Sequence, residues 1–227
     1  MKKAFTMLEL VFVIVVIGIL AAAIIPSTRT NPLQEAAVQV LSHIRYTQHL
    51  AMMDDKYDAS DANWYKKRWQ IVFSNGVETN NNEAYTIFSD TAGTSTGKVD
   101  LSEVAINPSN VSGYMSGGYA GAVIQLDISN PGFQGMKKLN LGQSYGVNTV
   151  VFSPTCRVGT SRRIAFDHMG RPIKGDLSGN AEAYENDNLI QSDCNITMTH
   201  SNGDNIIIKV EEETGYSCIL NAAGICI

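Results

Sequence analysis

One carboxylate, Glu9, stands alone in the apolar run FTMLELVFVIVVIGILAAAII, which fills the 21 positions from Phe5 to Ile25. An acidic side chain at the centre of a membrane helix costs roughly 2.5–3.5 kcal/mol, and an ionisable group in such a place marks a function. As a helix the run rises about 31 Å, enough to cross a hydrocarbon core of about 30 Å. A cleavable secretory signal would have a shorter apolar stretch, a small-x-small cleavage site and a polar mature start. Here AAAII continues apolar to Pro26, so the run is expected to be a retained membrane anchor. Lys2 and Lys3 set its leading end on the cytoplasmic side by the positive-inside rule. A cut before Phe5 would create an α-amino group four residues ahead of Glu9. That amine could meet the carboxylate of a neighbouring subunit inside a packed bundle.

The remaining residues with chemical potential are sparse. Cys156, Cys194, Cys218 and Cys226 lie in the last third, with no CxxC pair and no His at metal spacing, so a metal site is not expected. Their even number after an export-type start predicts disulfides, with three connectivities open. His43 and His49 are six apart, do not share a helix face, and read as packing or surface residues. The acidic loop DDKYDASDANW (54–64) lacks the glycine turn and terminal glutamate of a calcium loop and reads as solvated. Asp167 and His168 are adjacent, so on a strand they point to opposite faces. No nucleophile elbow, phosphate loop, HExxH helix or dinucleotide fingerprint occurs, so neither catalysis nor a cofactor is expected. Asn110 and Asn195 head formal glycosylation sequons, for which an unmodified strand start is the expected reading. The net charge of −5, with 22 acidic against 17 basic residues, argues against a nucleic-acid partner.

These residues must be positioned by a few elements. After the break STRTNP, Leu33, Ala37, Leu41, Ile44 and Ala51 mark one apolar face of a helix over about 33–53. Gln34, Gln39, Arg45 and Gln48 occupy its opposite side, and Pro32 suits a helix start. From Arg68 the period changes to two: RWQIVFS, EAYTIFSD, AVIQLDIS, NTVVFS, RRIAFDH, NITMTH and NIIIKVE read as strands. Residues 91–118 and 175–193 read as long surface loops. The plan is α+β, a long N-terminal helix packed on an antiparallel sheet domain.

The stretch KKAFTMLELVFVIVVIGILAA closely resembles the N-terminus of type IV pilins and type II secretion pseudopilins. RRIAFDHMGRPIKGD, IIIKVEEETGY and EAAVQVLSHIRYTQHLAM are similar to the GspH/FimT group of minor pseudopilins. The resemblance implies a prepilin leader at 1–4, cleavage by a prepilin peptidase between Ala4 and Phe5, and N-methylation of Phe5. It further implies subunit register set by Glu9, and helix-weakening positions at Gly18 and Pro26. The class usually has Gly before the cut, where this chain has Ala4. The implied organisation is a transmembrane and filament-core helix at 5–25, an amphipathic continuation at 26–53 and an extracytoplasmic β-rich domain at 54–227. The implied protein is a minor, non-enzymatic pilin or pseudopilin subunit, single-pass in the bacterial inner membrane and incorporated into a filament. Its partners would be other pilin or pseudopilin subunits, the prepilin peptidase and the inner-membrane assembly platform. The alternatives are a major pilin or, in another class, a tethered binding module or enzyme on a plain signal anchor.

Overall fold

The computed structural model of the chain describes residues 6–24, 31–92, 95–108, 110–119, 121, 123–185 and 188–227. The chain divides into two compact units, Met1–Asn31 and Pro32–Ile227. The first contains α1, Met7–Ile24. The second opens with α2, Pro32–Met53, and continues into two four-stranded antiparallel sheets. One sheet has the order β2-β1-β6-β7, from β1 (Trp69–Ser74), β2 (Ala84–Ser89), β6 (Arg163–Phe166) and β7 (Pro172–Lys174). The other runs β10-β9-β8-β5, from β5 (Val147–Phe152), β8 (Cys194–His200), β9 (Asn205–Val210) and β10 (Ser217–Leu220). A small hairpin, β3 (Ile106–Asn107) with β4 (Asn110–Tyr114), and a short α3, Leu141–Tyr145, lie between them in sequence.

Two of the expectations above are corrected here. Among the described residues no helix is long and apolar enough to cross a membrane. The 18 residues of α1 rise about 27 Å, short of a hydrocarbon core of about 30 Å, and carry Glu9 in the first turn. The single-pass inner-membrane placement therefore does not hold. Nor does the α+β plan with a long N-terminal helix lying on the sheet. Among the described residues the second unit is mostly β with two α-helices, α2 and α3, and the helix on the sheets is α2, in a different compact unit from α1. The physical reason is that period-two segments dominate the chain and build two sheets, and α2 alone offers them an amphipathic face.

That face is built from Leu33, Ala36, Ala37, Val40, Leu41, Ile44, Thr47 and Ala51, all buried. The small side chains at 36, 37 and 51 let the helix approach the sheets closely. Both sheets contribute to one core, with Ile71, Phe73, Tyr85, Phe88 and Ile164 from the first and Phe152, Ile196, Met198 and Ile208 from the second. Phe73 meets Phe152 edge-on at 5.5 Å between centroids, so an aromatic pair ties the sheets together.

A buried ion pair makes the second tie. Arg162 Nη1 donates to Glu83 Oε1 at 2.7 Å and Oε2 at 2.6 Å, and to the Val150 carbonyl at 3.1 Å. The Val150 amide is hydrogen-bonded to Glu83 in turn. Glu83 enters the first sheet and Val150 lies in β5, so the pair also occupies the outer edge of β5, where unpaired backbone would otherwise recruit strands.

Three local readings also change. The segment at 122–129, expected as a strand, holds a 3₁₀ turn at Ile124–Leu126, with Leu126 buried in the core. The region expected as loop at 91–118 contains the β3–β4 hairpin. Gln39, Arg45 and Gln48, expected to face away from the domain, all reach it: Gln39 donates to Tyr85 Oη, Arg45 to the Ser217 carbonyl and Gln48 to two turns.

Candidate assembly site

The predicted cleavage pair Ala4–Phe5 and Pro26 lie outside the described residues. Glu9 and Gly18 are described. The helix runs through Gly18 without a break, and nothing lies within 4 Å of where its Cβ would be. Glu9 is the third residue of α1 and closes a reciprocal cap with Thr6. Thr6 Oγ1 accepts from the Glu9 amide at 3.3 Å, while Glu9 Oε2 accepts from the Thr6 amide and hydroxyl, each at 3.4 Å. The T-x-x-E spacing supplies this arrangement, and a negative charge in the first turn complements the helix dipole. The carboxylate that looked anomalous in the apolar run thus has a local role.

The rest of α1 is apolar on every side. Every described side chain from Thr6 to Leu20 is exposed, with Met7 at 85% and Ile19 at 65%. Twelve large apolar side chains between Met7 and Leu20 face outward. A helix that is hydrophobic all round needs cover, because a surface helix of a globular protein shows an apolar stripe and a polar face instead. Burying half of these side chains would contribute about 10 kcal/mol before the entropic cost of association.

The four cysteines form Cys156–Cys194 and Cys218–Cys226. The first bond ties the turn after β5 to the start of β8. The second ties β10 to the C-terminal tail.

The turns at Gly170 and Gly215 meet on α2. Gln48 Nε2 donates to the Gly170 carbonyl and to the Thr214 carbonyl, both at 2.9 Å. Gly170 and Gly215 have φ of +81° and +66°, the left-handed region that favours glycine. A Cβ on Gly215 would fall 2.4 Å from the Gly170 carbonyl oxygen, so the two turns touch backbone to backbone. Asp167 organises the first turn. It is fully buried and accepts from Met169 N, Arg171 N, Arg171 Nε and Tyr184 Oη at 2.7–3.0 Å. Burial alone would raise its pKa, but the hydrogen bonds from Arg171 and Tyr184 hold it below the usual carboxylate value. With four bonds its acceptor capacity is filled. His168 next to it is exposed, so the two side chains do not converge on a reacting atom.

A ladder of rings and guanidinium groups flanks this turn. The Arg68 guanidinium stands over Trp64 at 5.0 Å and Tyr184 at 4.6 Å, and that of Arg171 over Tyr184 at 5.0 Å. Beside it, Arg171, Pro172, Leu189, Ile190, Gln191 and Glu213 line a cleft of about 570 Å³. Sequence reasoning missed this cluster: Asp167 and Arg171 are close in sequence, but Arg68 and Tyr184 come from separate segments and join them only in the fold.

Among the described residues one acidic group, Asp193, Glu211 and Glu212, brings its oxygens within metal-ligand range of one another. Lys209 Nζ already sits among them, 3.0 Å from Asp193 and 2.8 Å from Glu211, and pairs with two of the three carboxylates. The acidic loop at 54–64 satisfies itself: Asp58 Oδ1 accepts from Ser60 and Asp61 pairs with Lys67 at 2.7 Å. His43 Nδ1 lies 2.6 Å from Tyr85 Oη, and burial pushes its pKa down to about 4. Asn195 is half-buried in β8, where its amide nitrogen donates to Ser153 Oγ, while Asn110 starts β4.

Comparison of the chain with family models, with curated proteins and with solved structures returned no match.

Proposed function

We propose that this chain is a non-enzymatic structural subunit of a filament of the type IV pilus or type II secretion pseudopilus kind, in the manner of a minor pseudopilin. The observation that carries the reading is α1: an 18-residue helix, apolar on all sides, with Glu9 as its one charge. Such a helix is covered most economically by copies of itself or by the matching helices of related subunits. A prepilin peptidase would free the helix by cutting between Ala4 and Phe5. The new amine would then face Glu9 of a neighbour and set the axial register. A carboxylate buried in such a bundle without its cation would cost several kcal/mol, so the pairing acts through selection of register more than through net stabilisation. The resemblance of the first 25 residues to pilins supports the same reading.

Two substitutions separate the register role from the capping role. Glu9→Gln keeps a residue that can close the cap with Thr6 but removes the charge. Thr6→Val removes the cap and keeps the charge. The proposal expects Glu9→Gln to lower incorporation into filaments at least tenfold, measured by immunoblot of sheared filaments, with Thr6→Val having a smaller effect. Normal incorporation of Glu9→Gln would reduce Glu9 to a helix cap. Mass spectrometry of the N-terminus, with and without the peptidase, should give a methylated Phe5 start only when the peptidase is present.

A further inference from the structure

β10 is the outermost strand of its sheet, and three backbone groups along its outward edge are taken up. The Ser217 carbonyl accepts from Arg45 Nη2 at 2.6 Å. The Ile219 carbonyl accepts from the Ile227 amide, and the Asn221 amide donates to the Ile225 carbonyl, both at 2.9 Å. Leu220 and Cys226 form an antiparallel bridge between these two bonds. The chain therefore turns back at 221–224 and lays its last three residues along the free edge of β10. Arg45 belongs to α2, whose apolar face is in the core, so that half of the cap is permanent.

The other half has little to hold it. Ile225 is 61% exposed and Ile227 71%, so neither apolar side chain anchors the tail. The bonds from Ala223 N and Ile225 N to Asn221 Oδ1, at 3.0 and 2.9 Å, shape the turn without tying it to the core. What remains is the pair of backbone bonds to β10 and the disulfide. We infer that Cys218–Cys226 is a reducible clasp that decides whether the edge of β10 is capped by the C-terminal tail.

The two disulfides differ in access. Cys156 and Cys194 are both fully buried, whereas Cys226 is half-buried in the tail over a buried Cys218. Thiol–disulfide exchange needs an approach to one sulfur, and only the second bond offers one. A dithiol reductant supplies two electrons and two protons: the S–S bond breaks, Cys218 and Cys226 become thiols, and the reductant closes to its own cyclic disulfide. A segment whose apolar side chains are exposed and whose tie is cut opens at little free-energy cost. Opening leaves the Ile219 carbonyl and Asn221 amide of an edge strand uncovered, the kind of surface that recruits another strand. Oxidising conditions keep the sheet closed, and reducing conditions open it.

The test uses the full-length chain titrated with dithiothreitol, with alkylation mapped by mass spectrometry and amide hydrogen exchange read over 194–200 and 217–227. The clasp requires alkylation of Cys218 and Cys226 at reductant levels that leave Cys156–Cys194 intact. Exchange at 219–227 should become on the order of a hundredfold faster while β8 is unchanged. Cys226→Ser without reductant should reproduce the local pattern. Simultaneous reduction of both bonds, retained protection of the tail after reduction, or loss of protection throughout the domain would each overturn the inference.

Discussion

Glu83 is 4% exposed and shares its carboxylate with Arg162, Asn75 and the backbone of β5. Burial raises its pKa even though Arg162 pulls it down, which shows desolvation outweighing the partner. Arg162→Ala strands that carboxylate, and breaking such a pair typically costs about 3–5 kcal/mol. The check is a urea midpoint, which should fall without a change in slope. His43 gives the pH dependence. Its folded pKa is lowered by burial to about 4 from the ordinary 6.5, so the unfolded chain binds the extra proton between those values. Stability from this group is complete above pH 6.5 and is lost as the pH falls toward 4. Relative to His43→Gln, the wild type should lose up to about 3 kcal/mol over that window, followed by thermal unfolding at each pH. In the sequence Glu83 does not stand out, and His43 reads only as a packing or surface residue. A histidine on a helix gives no sign of the tyrosine 42 positions later that receives it.

At the scale of elements, α2 shows how far periodicity reaches. Its apolar stripe was readable because a 3.6-residue period is contained in a short window. Its polar residues were not, because the same window cannot tell solvent from a distant carbonyl. Gln48 is the clearest case: it holds Gly170 and Thr214, 122 and 166 positions away. Gln48→Ala leaves two carbonyls without their donor and should cost roughly 1–3 kcal/mol, with faster amide exchange confined to the two turns. The failure at 122–129 has the opposite cause. AVIQLDIS alternates well enough for a strand, but Leu126 is drawn into the core from a 3₁₀ turn and no neighbouring strand offers it a ladder.

For the whole molecule, covalent topology supplies what local patterns cannot. Cys156–Cys194 closes a loop with a separation of 38 residues and Cys218–Cys226 one of 8. On the chain-entropy account these restrict the unfolded state by about 4 and about 2.5 kcal/mol respectively. Replacing both cysteines of the first pair by alanine should therefore lower the unfolding free energy more than replacing both of the second, as calorimetry would register. By itself the sequence determined the local periods, the α2 core face and the positions of β1, β2, β5, β6, β8 and β9. Each depends on residues within one or two turns or one strand. Only the tertiary structure decided which cysteines pair, that the polar side of α2 serves the domain, that two sheets share one core, and that α1 is too short a helix to be the expected span. The shared core, the Cys156–Cys194 bond and the role of the polar side of α2 depend on contacts between residues tens to hundreds of positions apart, and their geometry exists only once the chain has closed.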